Sequence, residues 1–256
     1  MRHFVKLVRP YMIWAVVMII VPLLLIVLYS VTTGGNDLVN IQFTLDNFKR
    51  MTEPVYVAVF LKSFRLGLLS VAICLVLGYI LAYFISRFNE KIQNILVLFV
   101  TIPMWINTFL GWLGIPPITM MYTDFAVVIG LVSDLLPFMV IPIHTSLCKI
   151  DTSLLEAAMD LGANKFQTFW RVTFKLSIPG VLNGVIMTFL LSISTFVIPK
   201  LLGGGQYMLI GNLIENQFIS VGDWNFGSAI SVILAFIILI AITQMKRFDR
   251  EDNEEE

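Results

Sequence analysis

Charge is the scarcest property of this sequence. Of 256 residues, 13% are Asp, Glu, Lys or Arg, about half the usual share of roughly 25% in a soluble domain. Hydrophobic residues make up 58%, which a water-soluble domain of this length does not need. The composition fits a polytopic membrane protein. Seventeen basic and seventeen acidic residues cancel, so net charge selects no partner, and nothing points to nucleic acid. Cysteine and histidine occur twice each. Cys74 lies in an apolar run and Cys148 near the end of another. His3 and His144 are far apart, and no ligand spacing exists, which argues against a disulfide or a metal centre. There is no G-x-x-x-x-G-K-S/T loop, so ATP hydrolysis, if it drives anything here, belongs to another subunit. No Ser/His/Asp order is present either, and the chain is expected to be non-catalytic.

What is present is a series of long apolar runs. Six spans are predicted, at about 11–31, 66–86, 92–113, 125–148, 180–199 and 226–244, making residues 1–256 one all-α membrane domain. The first run is too long for a signal-peptide core and lacks a small-residue cleavage site. Pro103, Pro137 and Pro142 fall inside spans, where neighbouring helices can satisfy the freed backbone groups. The connection 34–65 is polar, with helical patches at 45–51 and 55–64. A glycine-rich loop at Gly203-Gly204-Gly205 follows the fifth span. The acidic tail 249–256 reads as solvated or disordered. Lys and Arg are denser at the amino terminus, at Arg87 and Lys91, in the stretch 149–175 and at the carboxyl end. The other side has Lys49, Arg50, Lys62, Arg65 and Lys200. Both termini and the central loop are therefore expected in the cytoplasm.

That central loop, 150–179, is the long polar stretch set among spans, and it carries its own helical pattern. Ser153 with Glu156 reads as a capping box starting a helix at Leu154. Gly162 reads as its stop, because glycine takes positive φ at little cost. Asn164 with Gln167 reads as the cap of a second short helix, along which Phe166, Phe169, Trp170 and Phe174 recur at helical spacing. Two short helices with an exposed apolar face in water need a groove to dock in.

Glu156-Ala157-Ala158, with Gly162 next after a three-residue gap and an apolar Val172 ten further, resembles the EAA loop of ABC importer permeases. Phe174-Lys175 stands where that family has Leu-Pro. Further stretches are similar to spermidine/putrescine permeases, the first of their two membrane subunits. They are FTLDNFKRM (43–51), LGYILAY (77–83), GLVSDLLPFMVIPIHTSL (130–147), LLEAAMDLGANKFQTFWRV (154–172), LLGGGQYMLIGNLIENQF (201–218) and DWNFGSA (223–229). Two departures stand out. Ile80 replaces a usual proline, and Thr108 runs almost directly into Gly111-Trp112 where the family has a further segment.

The resemblance implies an obligate complex of this subunit, a related second permease, an ATPase dimer that holds ATP and Mg, and an external substrate-binding protein. It implies no cofactor in this chain, a polyamine as the substrate, and a coupling loop in which Glu156, Ala157, Ala158, Asp160 and Gly162 meet the ATPase. Glu156 has two readings, a contact to the ATPase or a capping residue. Asp134, mid-way through the fourth span, also has two: a contact for a cationic substrate in the path, or a packing residue hydrogen-bonded to a neighbour such as Ser133. A carboxylate there costs a few kcal/mol unless it meets water or a partner. Trp105, Asn107 and Thr108 either line the same path or bond between helices. Glu215 and Asp223 suggest an acidic outer vestibule or plain solvated loops. Rival functions are a permease of the superfamily for another solute (thiamine, iron or sulfate), an ion-coupled secondary transporter, for which no inverted repeat is evident, and a membrane anchor for an enzyme.

Overall fold

The computed structural model describes residues 2–33, 42–112, 123–203 and 207–254, with side chains placed at 14–33, 42–101, 123–203 and 207–243. Backbone that lies in lipid must satisfy its own hydrogen bonds. Among the described residues the regular structure is accordingly helical, with one isolated bridge between Thr32 and Phe43. In chain order the helices are α1 (Arg2–Ser30), α2 (Asp46–Arg50), α3 (Pro54–Ile85), α4 (Glu90–Trp112), α5 (Asp124–Cys148), α6 (Thr152–Asp160), α7 (Lys165–Ser194), α8 (Val197–Leu202), α9 (Ile210–Glu215) and α10 (Trp224–Glu254). Within the described residues α3, α5, α7 and Trp224–Thr243 of α10 are each long and apolar enough to cross a bilayer, and Trp14–Ser30 is a shorter apolar helix.

Several boundaries differ from the sequence reading, each for a local reason. The patch 55–64 is the first part of α3 rather than a separate helix. Pro54 sits at the helix start, where its missing N–H costs nothing, and no breaker follows. The expected fifth span, 180–199, begins at Lys165, because the second short helix of the polar loop runs into it without interruption. A π-helical turn, Phe169–Thr173, marks the join. That helix stops at Ser194 because Pro199 has no N–H for the Thr195 carbonyl, and its ring would strike it. Thr195 is extended (ψ 137°), and α8 restarts in a new direction. The acidic tail was expected to be solvated or disordered, and the backbone of 249–254 continues α10. Residues 34–41, 113–122, 204–206 and 255–256 lie outside the described residues. With them go the start of the polar connection, the end of the expected third span, most of the glycine loop and the end of the tail.

Helix α5 is the centre of the bundle, between α3 and α7. Its Leu131, Leu135, Met139 and Ile143 are fully buried. Small residues let the backbones approach, as is usual where lipid supplies no hydrophobic drive. Ser63, Gly67, Ser70, Cys74, Gly78 and Ala82 are buried along α3. On α7, a Cβ added at Gly180 would lie 2.7 Å from the Pro142 carbonyl oxygen. A second core gathers Phe226, Ala229 and Ile230 of α10 with Ile210, Leu213 and Met51. Helix α1 packs along α10 and is clamped at its end. Asn225 Nδ2 donates to the carbonyls of Tyr29 (3.0 Å) and Thr32 (2.8 Å), and Asn47 Nδ2 to those of Ser30 (3.1 Å) and Thr32 (3.0 Å).

Candidate functional site

The polar loop forms an elbow that projects from the bundle. Asp151, not Ser153, caps α6. Its backbone is extended and its Oδ1 accepts the Ser153 N–H at 2.9 Å. That hydrogen bond, with a further one from the Ser153 hydroxyl, holds the Asp151 carboxyl below the usual aspartate range. Ser153 therefore lies inside the first turn, and the capping box expected with Glu156 does not form. Both residues are suitable caps, and the earlier one is placed where the chain leaves α5. Glu156 is exposed, with no hydrogen bond or ion pair among the described residues. Capping no longer explains it. At the other end Gly162 has φ +87°. Its N–H donates to the Met159 carbonyl (2.9 Å), and that of Ala163 to the Ala158 carbonyl (3.1 Å). Those two bonds are the helix stop expected of a left-handed glycine. The capping box of Asn164 and Gln167 is present with both reciprocal bonds.

The elbow has no buried residue on α6, and its apolar side chains stand in the open. Leu161 is 91% exposed and Phe166 71%, with Leu154, Met159 and Trp170 also exposed. Fully burying such a side chain is worth about 1.5–3 kcal/mol, so this surface favours a partner. The bend that follows is tied to the bundle by rings. Phe169, in the π-helical turn, meets Tyr83 edge-on at 5.1 Å and Tyr79 at 6.0 Å, and Trp170 meets Phe174 at 5.0 Å with the rings tilted. Tyr79 shares a hydrogen bond with Ser177 (3.0 Å). The elbow and α3 are thereby joined by contacts that sequence spacing did not reveal. Phe169 was legible only as one of a helical aromatic series.

Asp134 is half-buried on α5 and has no hydrogen bond or ion pair among the described residues. The expected partner Ser133 is about 100° further round the helix. It lines instead an apolar cleft of about 440 Å³ between α3 and α5, with Leu69, Ile73, Phe125 and Val132. Asp134 shares its face with Ile141, Thr145 and Cys148. At the far end of that face Cys148 Sγ lies 3.3 Å from Gln93 Oε1 of α4. Trp105, Asn107 and Thr108 lie further along α4, and their side chains lie outside the described ones. The residues expected to couple lie elsewhere, beyond the end of α5, which is itself about 21 Å along the helix from Asp134.

The acidic vestibule is not free. Asp223 pairs with Arg50 (2.8 Å), Asp124 with Lys62 (3.6 Å), Asp46 with Lys49 (3.2 Å) and Glu215 with Lys200. No group of His, Cys, Asp and Glu side chains suited to a metal ion occurs among the described residues.

The family described as "binding-protein-dependent transport system inner membrane component" matches residues 74–250. The spermidine/putrescine transport system permease protein PotB of Salmonella typhimurium strain SL1344 is 39% identical over 247 residues, spanning 88% of this chain and 86% of that protein. The protein of the same name from Haemophilus influenzae strain Rd is 34% identical over 251 residues, spanning 90% and 88%. In both cases the share of this chain's 256 residues is smaller than the aligned length, so the chain is shorter inside the matched region. That agrees with the segment found missing after Thr108. Among solved structures, a chain of a bacterial alginate ABC transporter in complex with alginate pentasaccharide-bound periplasmic protein shares the fold. Its TM-score is 0.73 at 15% identity, over 97% of this chain and 94% of that one. With well over half its length matched, and with relatives this similar along nearly all of it, the chain belongs to the inner membrane components of binding-protein-dependent transport systems, the permeases of ABC importers.

Proposed function

We propose that this permease is one half of the translocation path of an ATP-driven polyamine importer. The observation that carries the substrate is the 34–39% identity to spermidine/putrescine permeases over most of both chains. The carboxylate of Asp134, with no ion pair or hydrogen bond among the described residues, is in keeping with a cationic solute and counts against an anion such as sulfate. A second, related permease completes the path, and an extracytoplasmic binding protein delivers the solute. A partner ATPase dimer binds ATP and Mg and supplies the hydrolysis. The exposed elbow supports docking to that ATPase, with Glu156, Ala157, Ala158 and Asp160 on the contact surface and Gly162 setting the angle. Both termini and the elbow are cytoplasmic.

In this reading ATP draws the ATPase subunits together and moves the elbow. The motion enters the bundle along α7 directly and through the Phe169 ring against Tyr79 and Tyr83. The path opens outward, and the solute's ammonium groups exchange water for Asp134 and the polar residues of α4, Asn107 and Thr108, beside Trp105. Hydrolysis resets the path inward. The test is ATP-dependent uptake of labelled spermidine by vesicles holding the complete complex, challenged with putrescine or thiamine. Competition by putrescine and not by thiamine is expected. Asp134→Asn should raise the KM for spermidine about tenfold, the loss of about 1.4 kcal/mol of ionic attraction. An active ATPase without spermidine uptake would remove the polyamine assignment.

A further inference from the structure

We propose that the cleft between α3 and α5 seats one acyl chain of an anionic phospholipid, whose headgroup phosphate is met by Arg65 and Lys62. The inference is independent of the solute and concerns how the subunit sits in its bilayer.

The cleft has the size and chemistry of such a chain. It encloses about 440 Å³ and, apart from Asp124 and Ser133, is lined by aliphatic and aromatic side chains. Its α3 wall runs from Leu69 to Leu77 and its α5 wall from Asp124 to Ser133. At helical rise these walls are about 12 Å and about 13.5 Å long, close to the roughly 15 Å of hydrocarbon in one leaflet. The rings that join Tyr79 and Tyr83 to Phe169 put the end of α3 beside the elbow, so the cleft lies in the opposite leaflet. Its rims, Leu69, Leu77, Phe125 and Ile129, are exposed. Helix contacts in lipid use small residues, and α3 keeps these for its packed side, where Gly67, Ser70, Cys74 and Gly78 are buried. The cleft wall has Leu69, Ile73 and Leu77 instead. Such bulk holds a second helix backbone off and leaves a slot that a flexible chain can fill.

The cations stand at one end of this slot. Lys62 Nζ is 3.6 Å from Oδ1 of Asp124, a lining residue, and 3.6 Å from the centre of the Tyr207 ring. The ammonium is thereby held at the cleft mouth. Arg65, Leu69, Ile73 and Leu77 follow one another at four-residue intervals and form one ridge of α3. Arg65 is the ridge residue one turn beyond the cleft, toward the membrane surface. It is exposed and has no ion pair among the described residues. Two cations against the Asp124 carboxylate leave one positive charge in surplus, the complement of a phosphodiester with a single negative charge. A guanidinium fork matches phosphate oxygens, and basic side chains near the ends of spans reach to the interface. An anionic lipid gains from that surplus, whereas a zwitterionic one brings no net charge to it.

The test uses the complete complex in bilayers, with cysteine-free partner subunits. Leu77→Cys in a Cys148→Ser background carries a fluorophore at the deep end of the cleft, and Cys74 is fully buried and stays unlabelled. Quenching is compared between phosphatidylglycerol and phosphatidylcholine, each brominated near the end of its chains. Phosphatidylglycerol should reach half-maximal quenching at a mole fraction about fivefold lower, the worth of one cation at a membrane surface. Arg65→Gln should remove that preference and Arg65→Lys should keep it. Ile129→Trp, which fills the cleft from an exposed position, should also remove it. Equal quenching by the two lipids would reduce the cleft to ordinary lipid contact and overturn the proposal. A preference that survives Arg65→Gln or Ile129→Trp would overturn it too, as would one lost equally in Arg65→Lys and Arg65→Gln. Absence of quenching by either lipid would show that the second permease covers the cleft, and the lipid assignment would fall.

Discussion

Asp223 uses both carboxylate oxygens. One accepts from Arg50 at 2.8 Å and the other from the Phe226 N–H at 3.0 Å, so the residue ties α2 to the start of α10. The hydrogen bond to Asp223 holds the Arg50 guanidinium above its usual pKa, and its plane lies 4.2 Å over the Phe226 ring. Asp223→Ala removes a partly exposed ion pair and a helix cap, at a cost of roughly 1–2 kcal/mol. Asp223→Asn keeps the cap and should lose less; thermal unfolding in detergent would rank the two. Asp151 makes a prediction in pH. Its folded pKa is depressed by the Ser153 N–H and then by the Ser153 hydroxyl. Such a group lends its support above the pKa of the unfolded chain and loses it as pH falls through the folded value. Acidification below the ordinary aspartate range should therefore fray the first turn of α6, and Asp151→Asn should lack that dependence. Amide exchange at Leu154 and Leu155, compared between the two proteins at each pH, is the check. The sequence reading placed this cap two residues late, because Asp151 and Ser153 are both capping types and only backbone geometry decides which is extended.

At the scale of elements, periodicity was a good guide inside helices and a poor one at their joins. The apolar runs marked α3, α5, α7 and α10 without difficulty. The single helix from Lys165 to Ser194 read as two, a short helix in the polar loop and a span beginning at 180. Nothing in the residues announces the π-helical turn that carries the chain through. The break at Thr195 was equally hidden, since it is caused by a proline four residues later. Gly162 was legible, because only a left-handed residue ends a helix in the way its two bonds require. Its substitution tests the elbow as a unit. Nothing lies within 4 Å of a Cβ built there, so Gly162→Val meets no clash. It carries only the backbone cost of positive φ, about 1–2 kcal/mol. That is enough to reset the angle between α6 and α7 and too local to unfold the bundle. Uptake should be abolished while the purified subunit keeps its helical circular dichroism; normal uptake would remove the coupling role.

For the molecule as a whole, the counting of Lys and Arg gives an expected orientation that labelling can test. Of the five cations assigned to the outer side, Lys49, Arg50, Lys62 and Lys200 are each paired with a carboxylate. At the other end Arg87, Lys91, Lys149, Lys165, Arg171 and Lys175 have no ion pair among the described residues. The positive-inside bias counts Lys and Arg themselves, and carboxylates beside them weigh little. The expected orientation therefore rests on the residue count and not on the pairing. It predicts that a cysteine at Glu53 reacts with a membrane-impermeant thiol reagent in intact cells. A cysteine at Lys165, in a background with Cys148→Ser, should react only after the membrane is opened. Cys74 is fully buried and will not interfere. The reverse pattern would place the elbow outside, out of reach of any cytoplasmic ATPase, and the coupling mechanism would fall with the orientation.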